Sequence, residues 1–139
     1  INEAKPVNSI FEYINKAEKI IICPSNPIVS IGTIIGLPGI RDALKKVKQK
    51  IIAISPIIEG ATVKGPADKL MRCFGLEVSC VGVAKYYKDI LDHFVIDKKD
   101  CNIKSEIEEL GIHTYCYDTI MDSIEKKKKL AQFVIDIKI

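Results

Sequence analysis

The chain has 139 residues, of which 47% are hydrophobic and 28% charged, a balance that is typical of globular proteins and excludes a disordered one. Its net charge is +3, with 21 basic residues interleaved among 18 acidic ones, which weakly favours an anionic small ligand and hardly supports nucleic acid. No apolar run approaches the length of a membrane-spanning helix. We therefore expect one cytoplasmic domain, residues 1–139, with no membrane partner.

The first strong pattern is an apolar strand that stops at a stiff turn. Residues 9–15 predict a short amphipathic helix, and the β-branched run at 20–23 predicts a strand buried on both faces of a parallel sheet. Pro24 and Pro27 fix the backbone on either side of Ser25 and Asn26. The polar pair suits a helix N-cap, and Pro27 suits the first helical position.

The turn lies where ligands of α/β proteins often bind. They bind at the carboxyl ends of parallel strands, beside helix N-termini that attract anions. A capped turn with no ligand is the commoner arrangement, and the residues alone favour that interpretation.

The remaining elements alternate between helices and strands. After a weak helical segment at 28–35, helices are predicted at 38–47, 66–73, 81–91, 105–110 and 119–135, and strands at 51–54, 94–96 and 113–117. Residues 59–65 predict a loop. Because parallel strands need crossover helices, this order predicts a three-layer α/β/α fold with a mainly parallel, Rossmann-like sheet.

A second strand end repeats the first pattern, since the strand at 51–54 stops at Ser55 and Pro56. The segments that follow these two ends would converge on one crevice, where backbone N–H groups and a nearby lysine, Lys64 or Lys69, would hold phosphate. For residues 64–66 a plain surface loop is an equally good interpretation. Neither a P-loop nor a G-x-G-x-x-G motif is present.

Other polar residues favour structural roles. Asp97 and Asp118 follow strands, where metal or ribose ligands occur, but N-capping and turn formation are the favoured interpretations. The lysine run at 126–129 predicts a solvated helix face, and His93 and His113 predict partly buried strand-edge residues. No nucleophile with its base and no metal cluster is visible.

The cysteines predict a reducing environment. Their number is odd, and neither a C-x-x-C pair nor zinc-ligand spacing to a histidine occurs. We therefore expect reduced, unpaired and mostly buried thiols at Cys23, Cys73, Cys80, Cys101 and Cys116.

Five sequence blocks carry a family resemblance that runs along almost the whole chain. They are CPSNPIVSIG at 23–32, LPGIRDAL at 37–44, AISPI at 53–57, KGPADKLM at 64–71 and VGVAKYYKD at 81–89. Their order and spacing closely resemble the 2-phospho-L-lactate transferase family, of which this chain covers only the C-terminal half.

The resemblance implies a magnesium-dependent transfer in the biosynthesis of coenzyme F-420 in methanogenic archaea. A 2-phospholactyl or phosphoenolpyruvyl group passes from a guanosine diphosphate conjugate to the deazaflavin 7,8-didemethyl-8-hydroxy-5-deazariboflavin, and GMP is released. The positions that match the family's substrate and nucleotide site are Ser25, Asn26, Pro27, Ser30, Ser55, Lys64, Gly65 and Asp68.

Two departures from the family pattern limit this implication. Thr33 stands where many relatives have proline. The family's N-terminal Gly-Gly-Thr-Gly loop and its acidic metal and deazaflavin ligands are absent from these residues, so magnesium would be held outside this chain. We therefore expect half a site, no assigned catalytic residue and little or no activity from this segment alone.

Two other functions remain open from the sequence. Regulatory proteins of the same superfamily bind nucleotides or nucleotide sugars without transferring a phospholactyl group, and a scaffold domain would keep the fold as a fragment. A homo-oligomer is also an open alternative.

Overall fold

The computed structural model describes residues 3–63 and 65–139, so the sequence prediction for Lys64 lies outside the described residues. The elements, in chain order, are α1 (Ser9–Lys16), β1 (Ile20–Ile22), α2 (Gly32–Ile35), α3 (Ile40–Lys45), β2 (Ile51–Ile54), β3 (Ile57–Ile58), β4 (Ala61–Thr62), α4 (Ala67–Cys73), α5 (Cys80–Tyr87), β5 (His93–Asp97), α6 (Lys104–Glu108), β6 (His113–Tyr117) and α7 (Ile124–Asp136). A π-helical turn, Pro27–Ile31, leads into α2, and 3-10 turns, Lys48–Lys50 and Lys98–Ile103, lead into β2 and α6.

The main sheet has four parallel strands in the order β1-β2-β5-β6. Its register pairs Ile21 with Ile52, Ala53 with Phe94 and Val95 with Tyr115. Helices connect the parallel strands as crossovers, so the predicted α/β fold with a parallel, Rossmann-like sheet is confirmed.

Helices cover both faces of this sheet, unequally. Because strand residues alternate between faces, Ala53 and Phe94 pack into the larger core beneath α1 to α6, whereas Ile52 and Val95 pack against α7. Ile21 in β1 lies on the α7 side and remains 39% exposed. None of the helices in the described residues is both long and apolar enough to cross a bilayer.

Several predicted boundaries are wrong: the helix predicted at 81–91, for example, is Cys80–Tyr87. Two of the differences have identifiable reasons. The predicted loop at 59–65 contains β4, which pairs with β3 in a two-stranded antiparallel hairpin. Glu59 and Gly60 have φ angles of 51° and 72°, the conformation that a tight two-residue hairpin turn requires. The last helix begins at Ile124 rather than at residue 119, because Ser123 caps it by accepting a 3.2 Å hydrogen bond from the Lys126 N–H.

The prediction of five unpaired, mostly buried cysteines is also wrong. Cys101 and Cys116, 15 residues apart, form a disulfide with a Cα–Cα distance of 5.8 Å. The 3-10 turn after β5 brings Cys101 beside the end of β6, a proximity that the linear spacing does not reveal. Cys23 and Cys73 are exposed free thiols, whereas burial raises the pKa of the Cys80 thiol to about 12 and makes it unreactive.

Candidate functional site

A cavity of about 740 Å³ opens at the carboxyl edge of the sheet. Its wall is built by segments that follow β1, β2 and β6, together with the segment that leads into α4. The lining residues are 24–26, 29–30, 55–56, 58, 63, 65–67, 119–122 and 127. This is the edge at which α/β proteins bind ligands.

The structure brings most of the predicted site residues to this cavity, but not all. The predicted residues that line it are Ser25, Asn26, Ser30, Ser55 and Gly65. Pro27 is buried in the turn and Asp68 lies in the first turn of α4, and neither contributes to the lining. The roles of these residues in substrate binding stay predictions.

Asn26 caps the π-helical turn, and this occupies the backbone donors within that turn. Its Oδ1 accepts hydrogen bonds from the N–H groups of Ile28, at 2.9 Å, and Val29, at 3.2 Å. Its carbonyl accepts from the N–H groups of Ser30, at 3.2 Å, and Ile31, at 3.0 Å. Since Pro27 has no N–H, residues 27–31 of this turn keep no backbone donor for an anion.

The side-chain amide of Asn26 keeps a spare donor. Its Nδ2 is buried and has no hydrogen-bond partner among the described residues. Leaving such a donor unsatisfied costs about 1–3 kcal/mol, so an acceptor that reached this atom on ligand binding would stabilise it. The hydroxyl-bearing side chains of Ser25 and Ser30 belong to the same wall.

Ser55 shapes the wall through a local turn. Its side chain is almost fully buried, and its hydroxyl donates to the Ile57 carbonyl at 2.8 Å and accepts from the Ile57 N–H at 3.1 Å. Both bonds hold the chain where β2 turns into the β3-β4 hairpin. The Ser55 hydroxyl therefore has a structural partner already.

Residues 119–122 and Lys127 form a further part of the cavity wall that was not predicted from the sequence. Lys126 and Lys129 do form surface ion pairs, with Asp122 at 2.8 Å and Glu125 at 2.7 Å, as a solvated face would. Lys127 instead lines the cavity and has no ion-pair partner in residues 3–63 and 65–139. A signal was present: Lys127, although exposed, lies three and seven residues before Leu130 and Val134, and so on the same side of α7 as these buried residues.

The aspartates at the strand ends act as caps and turn formers, as predicted. The Asp97 carboxylate accepts from the Lys99 N–H at 3.0 Å and caps the 3-10 turn after β5. Asp118 accepts from the Ile120 N–H at 3.2 Å, and the ion pair with Lys98, at 3.1 Å, lowers the pKa of its carboxyl group.

The cavity wall does not build a magnesium site. Asp122 supplies the one carboxylate among the described lining residues, and it is paired with Lys126. No group of three or more histidine, cysteine, aspartate or glutamate side chains that could hold a metal ion occurs in the described part of the chain. Mg²⁺ needs oxygen ligands in octahedral array, which these residues do not provide.

This chain is similar to one protein family along almost its whole length. Residues 1–136 match the family model described as "2-phospho-L-lactate transferase CofD". The chain is 50% identical over 135 residues to the 2-phospho-L-lactate transferase of Methanosarcina mazei, covering 97% of this chain and 44% of that protein. It is 47% identical over 137 residues to the enzyme of Methanosarcina acetivorans, covering 99% and 44%. With the enzyme of Methanocaldococcus jannaschii it shares 42% identity over 133 residues, covering 96% and 41%.

The chain thus spans less than half the length of the curated relatives that it matches. The match nevertheless includes every described segment that lines the cavity. This chain belongs to the 2-phospho-L-lactate transferase CofD family.

Proposed function

We propose that this chain is the C-terminal half of a 2-phospho-L-lactate transferase and that its cavity binds the guanosine diphosphate part of the donor. The observation that carries the proposal is the cavity itself. The family-like blocks at 23–32, 53–57 and 64–71 are distant in sequence, yet described residues from each of them line one cavity at the carboxyl edge of the sheet.

The proposed reaction transfers the phospholactyl or phosphoenolpyruvyl group from the phosphoanhydride of the donor to an alcohol of the acceptor. The terminal ribityl hydroxyl of the deazaflavin attacks the phosphorus atom next to the lactyl or enolpyruvyl group. A new P–O bond forms, the phosphoanhydride bond to the GMP oxygen breaks with its electron pair staying on GMP, and the hydroxyl proton passes to solvent. Such reactions depend mainly on positioning and electrostatic stabilisation, so no covalent nucleophile is needed.

The chain's own residues supply donors and charge for an anionic group. Lys127 carries a positive charge at the cavity wall, and the Nδ2 of Asn26 lacks a partner in the described structure. Hydrogen bonds from a lysine to phosphate oxygens are charge-assisted and stronger than neutral ones. We assign these two side chains to the diphosphate, where they would offset the charge that develops on the leaving GMP.

Magnesium and the acceptor lie outside this assignment. The family resemblance implies magnesium, but the residues described here do not fit a metal site, so no step of the proposal uses one. The deazaflavin would be positioned by the part of the transferase that this chain does not span.

The proposal is tested by GDP binding to the full-length transferase that contains this chain. Removing one hydrogen bond to a charged phosphate should cost roughly 1.5–3 kcal/mol, so calorimetry should show that Asn26→Ala binds GDP about 10- to 150-fold more weakly. Asn26 also caps a helical turn, and the matched control is Ser79→Ala. That change removes a cap on α5, where the Ser79 hydroxyl accepts from the Gly82 N–H at 2.9 Å, away from the cavity.

Two results would contradict the proposal. Equal GDP affinity in wild type and Asn26→Ala would remove Asn26 from the site, and equal losses in Asn26→Ala and Ser79→Ala would trace the loss to helix capping. A second assay supplies donor, deazaflavin and magnesium and follows GMP release. We expect release by the full-length protein and none by residues 1–139 alone; binding without transfer would favour the regulatory alternative.

A further inference from the structure

The carboxylate of Asp97 is a buried charge that the proposed function has not used. Its residue is 1% exposed and makes no ion pair within the described part of the chain. A buried charge is tolerated only when hydrogen bonds compensate for its lost hydration. Those bonds therefore show which parts of the molecule Asp97 holds.

Two of its three bonds cross to the segment after the neighbouring strand. One carboxylate oxygen accepts from the Thr119 N–H at 2.9 Å and from the Thr119 hydroxyl at 3.0 Å. The other oxygen accepts from the Lys99 N–H at 3.0 Å. Asp97 thus ties the end of β5 to the first residue of the cavity wall at 119–122.

The tie extends to the start of α7. Thr119 itself is buried, and Asp118 braces the same segment by bonding Ile120 and by pairing with Lys98. Four residues after Thr119, the Ser123 cap begins the helix, and Lys127 follows in that helix at the cavity wall. A shift of Thr119 would therefore move the N-terminal part of α7 and its cationic side chain.

We propose that Asp97 is a positioning residue of the donor site: through Thr119 it fixes the wall at 119–122 and the first part of α7, which places Lys127 for a diphosphate. This inference rests on the proposed function, because it assigns the diphosphate to the same cavity. The inference adds that Asp97 sets the position of Lys127. Asp97 itself does not line the cavity and is not assigned contact with the ligand.

The experiment uses full-length transferase, GDP as the probe and paired substitutions at two buried threonines. Thr119→Val keeps the side-chain shape and removes the hydroxyl, and Thr119→Ser keeps the hydroxyl. Thr114→Val is the matched control, since the Thr114 hydroxyl is also buried but donates to the Ile112 carbonyl, at 3.1 Å, near the amino end of β6. Asp97→Asn tests the carboxylate directly.

We expect Thr119→Val and Asp97→Asn to bind GDP about tenfold more weakly, Thr119→Ser to restore affinity, and Thr114→Val to leave it unchanged. Hydrogen exchange should be faster across residues 118–127 in Thr119→Val but not in Thr114→Val. Unchanged GDP affinity in Thr119→Val, or an equal loss in Thr114→Val, would overturn the inference while leaving a GDP site in place. If wild type binds no GDP, the proposed function fails, and unchanged exchange across 118–127 would overturn the positioning role as well.

Discussion

The strand β5 has a buried titratable residue at each end, and these two residues differ in which parts of the chain they contact. At the amino end, His93 is 8% exposed; its Nδ1 lies 3.1 Å from the Tyr115 hydroxyl, and its ring stacks on His113 at 5.2 Å. These contacts stay between β5 and the neighbouring strand. At the carboxyl end, the bonds of Asp97 pass to segments outside the sheet, one of which lines the cavity.

The difference follows from how a parallel sheet is connected. Because the four strands β1, β2, β5 and β6 are parallel, all of them end at the same carboxyl edge of the sheet. The loops that build a site therefore leave from that edge. Side chains at this edge must fix loops as well as fill space. At the amino edge the chain only enters the strands. There, for example, the His113 N–H donates to the Asp92 carbonyl at 2.8 Å and joins the starts of β6 and β5. Substitutions at the two ends should therefore separate effects on binding from effects on stability.

The largest loss of stability is expected at the centre of β5, between the two ends. Phe94 is fully buried in the larger core. Truncating a buried phenylalanine leaves a cavity, so Phe94→Ala should lower the free energy of unfolding by about 3–5 kcal/mol in denaturant titrations of the full-length protein. Phe74→Ala is the matched control, because Phe74 is 66% exposed and its loss should matter little. Similar losses in both variants would contradict the core described here.

The second largest loss of stability is expected near the cavity, where Gly32 follows the π-helical turn. A Cβ at this position would lie 2.7 Å from the Pro27 carbonyl oxygen, too close for the backbone to stay in place. Gly32→Ala should cost about 1–3 kcal/mol of stability and also weaken GDP binding, because the displaced turn carries Asn26. Ile34→Ala, at a 57% exposed position in the same helix, is the control for thermal melts and calorimetry. Full stability and affinity in Gly32→Ala would show that the turn adapts without cost.

Much of the fold could be predicted because single segments determine it. Residues 51–54 and 113–117 form strands as predicted, and 20–23 does so except at its last residue. Runs of β-branched or aromatic residues between turn formers leave little alternative there. The β3-β4 hairpin was missed because its strands have two residues each, too few to show a period.

The candidate site could be located from the sequence, but its chemistry could not. The two prolines around Ser25 and Asn26 reveal a rigid turn after a strand. That Asn26 satisfies the N–H groups of the turn depends on a side-chain conformation, which no pattern specifies. The wall at Thr119 depends on Asp97, 22 residues away in sequence, and so appears only in three dimensions.

The smallest effect is expected at the amino end of β5, as a dependence of stability on pH. Burial is the main cause that lowers the pKa of His93, and the neighbouring His113 and the more distant Lys19 also lower it, while Asp92 and the backbone of Gln49 oppose the shift. Since the folded-state pKa lies below the unfolded value of about 6.5, the fold favours neutral histidine. This contribution to stability is therefore complete above that pH and is lost as the pH falls towards and through the folded-state pKa.

Denaturant midpoints measured from about pH 8 down to about pH 5 should show this loss in wild type and less of it in His93→Gln, since histidine titrates in this range. His113→Gln, at the exposed neighbour, should reduce the loss only in part, because burial remains the main cause. GDP affinity at about pH 8, where His93 is neutral, should be the same in His93→Gln and wild type. A weakened affinity there would mean that the amino end also supports the cavity, and the contrast between the two ends of β5 would then fail.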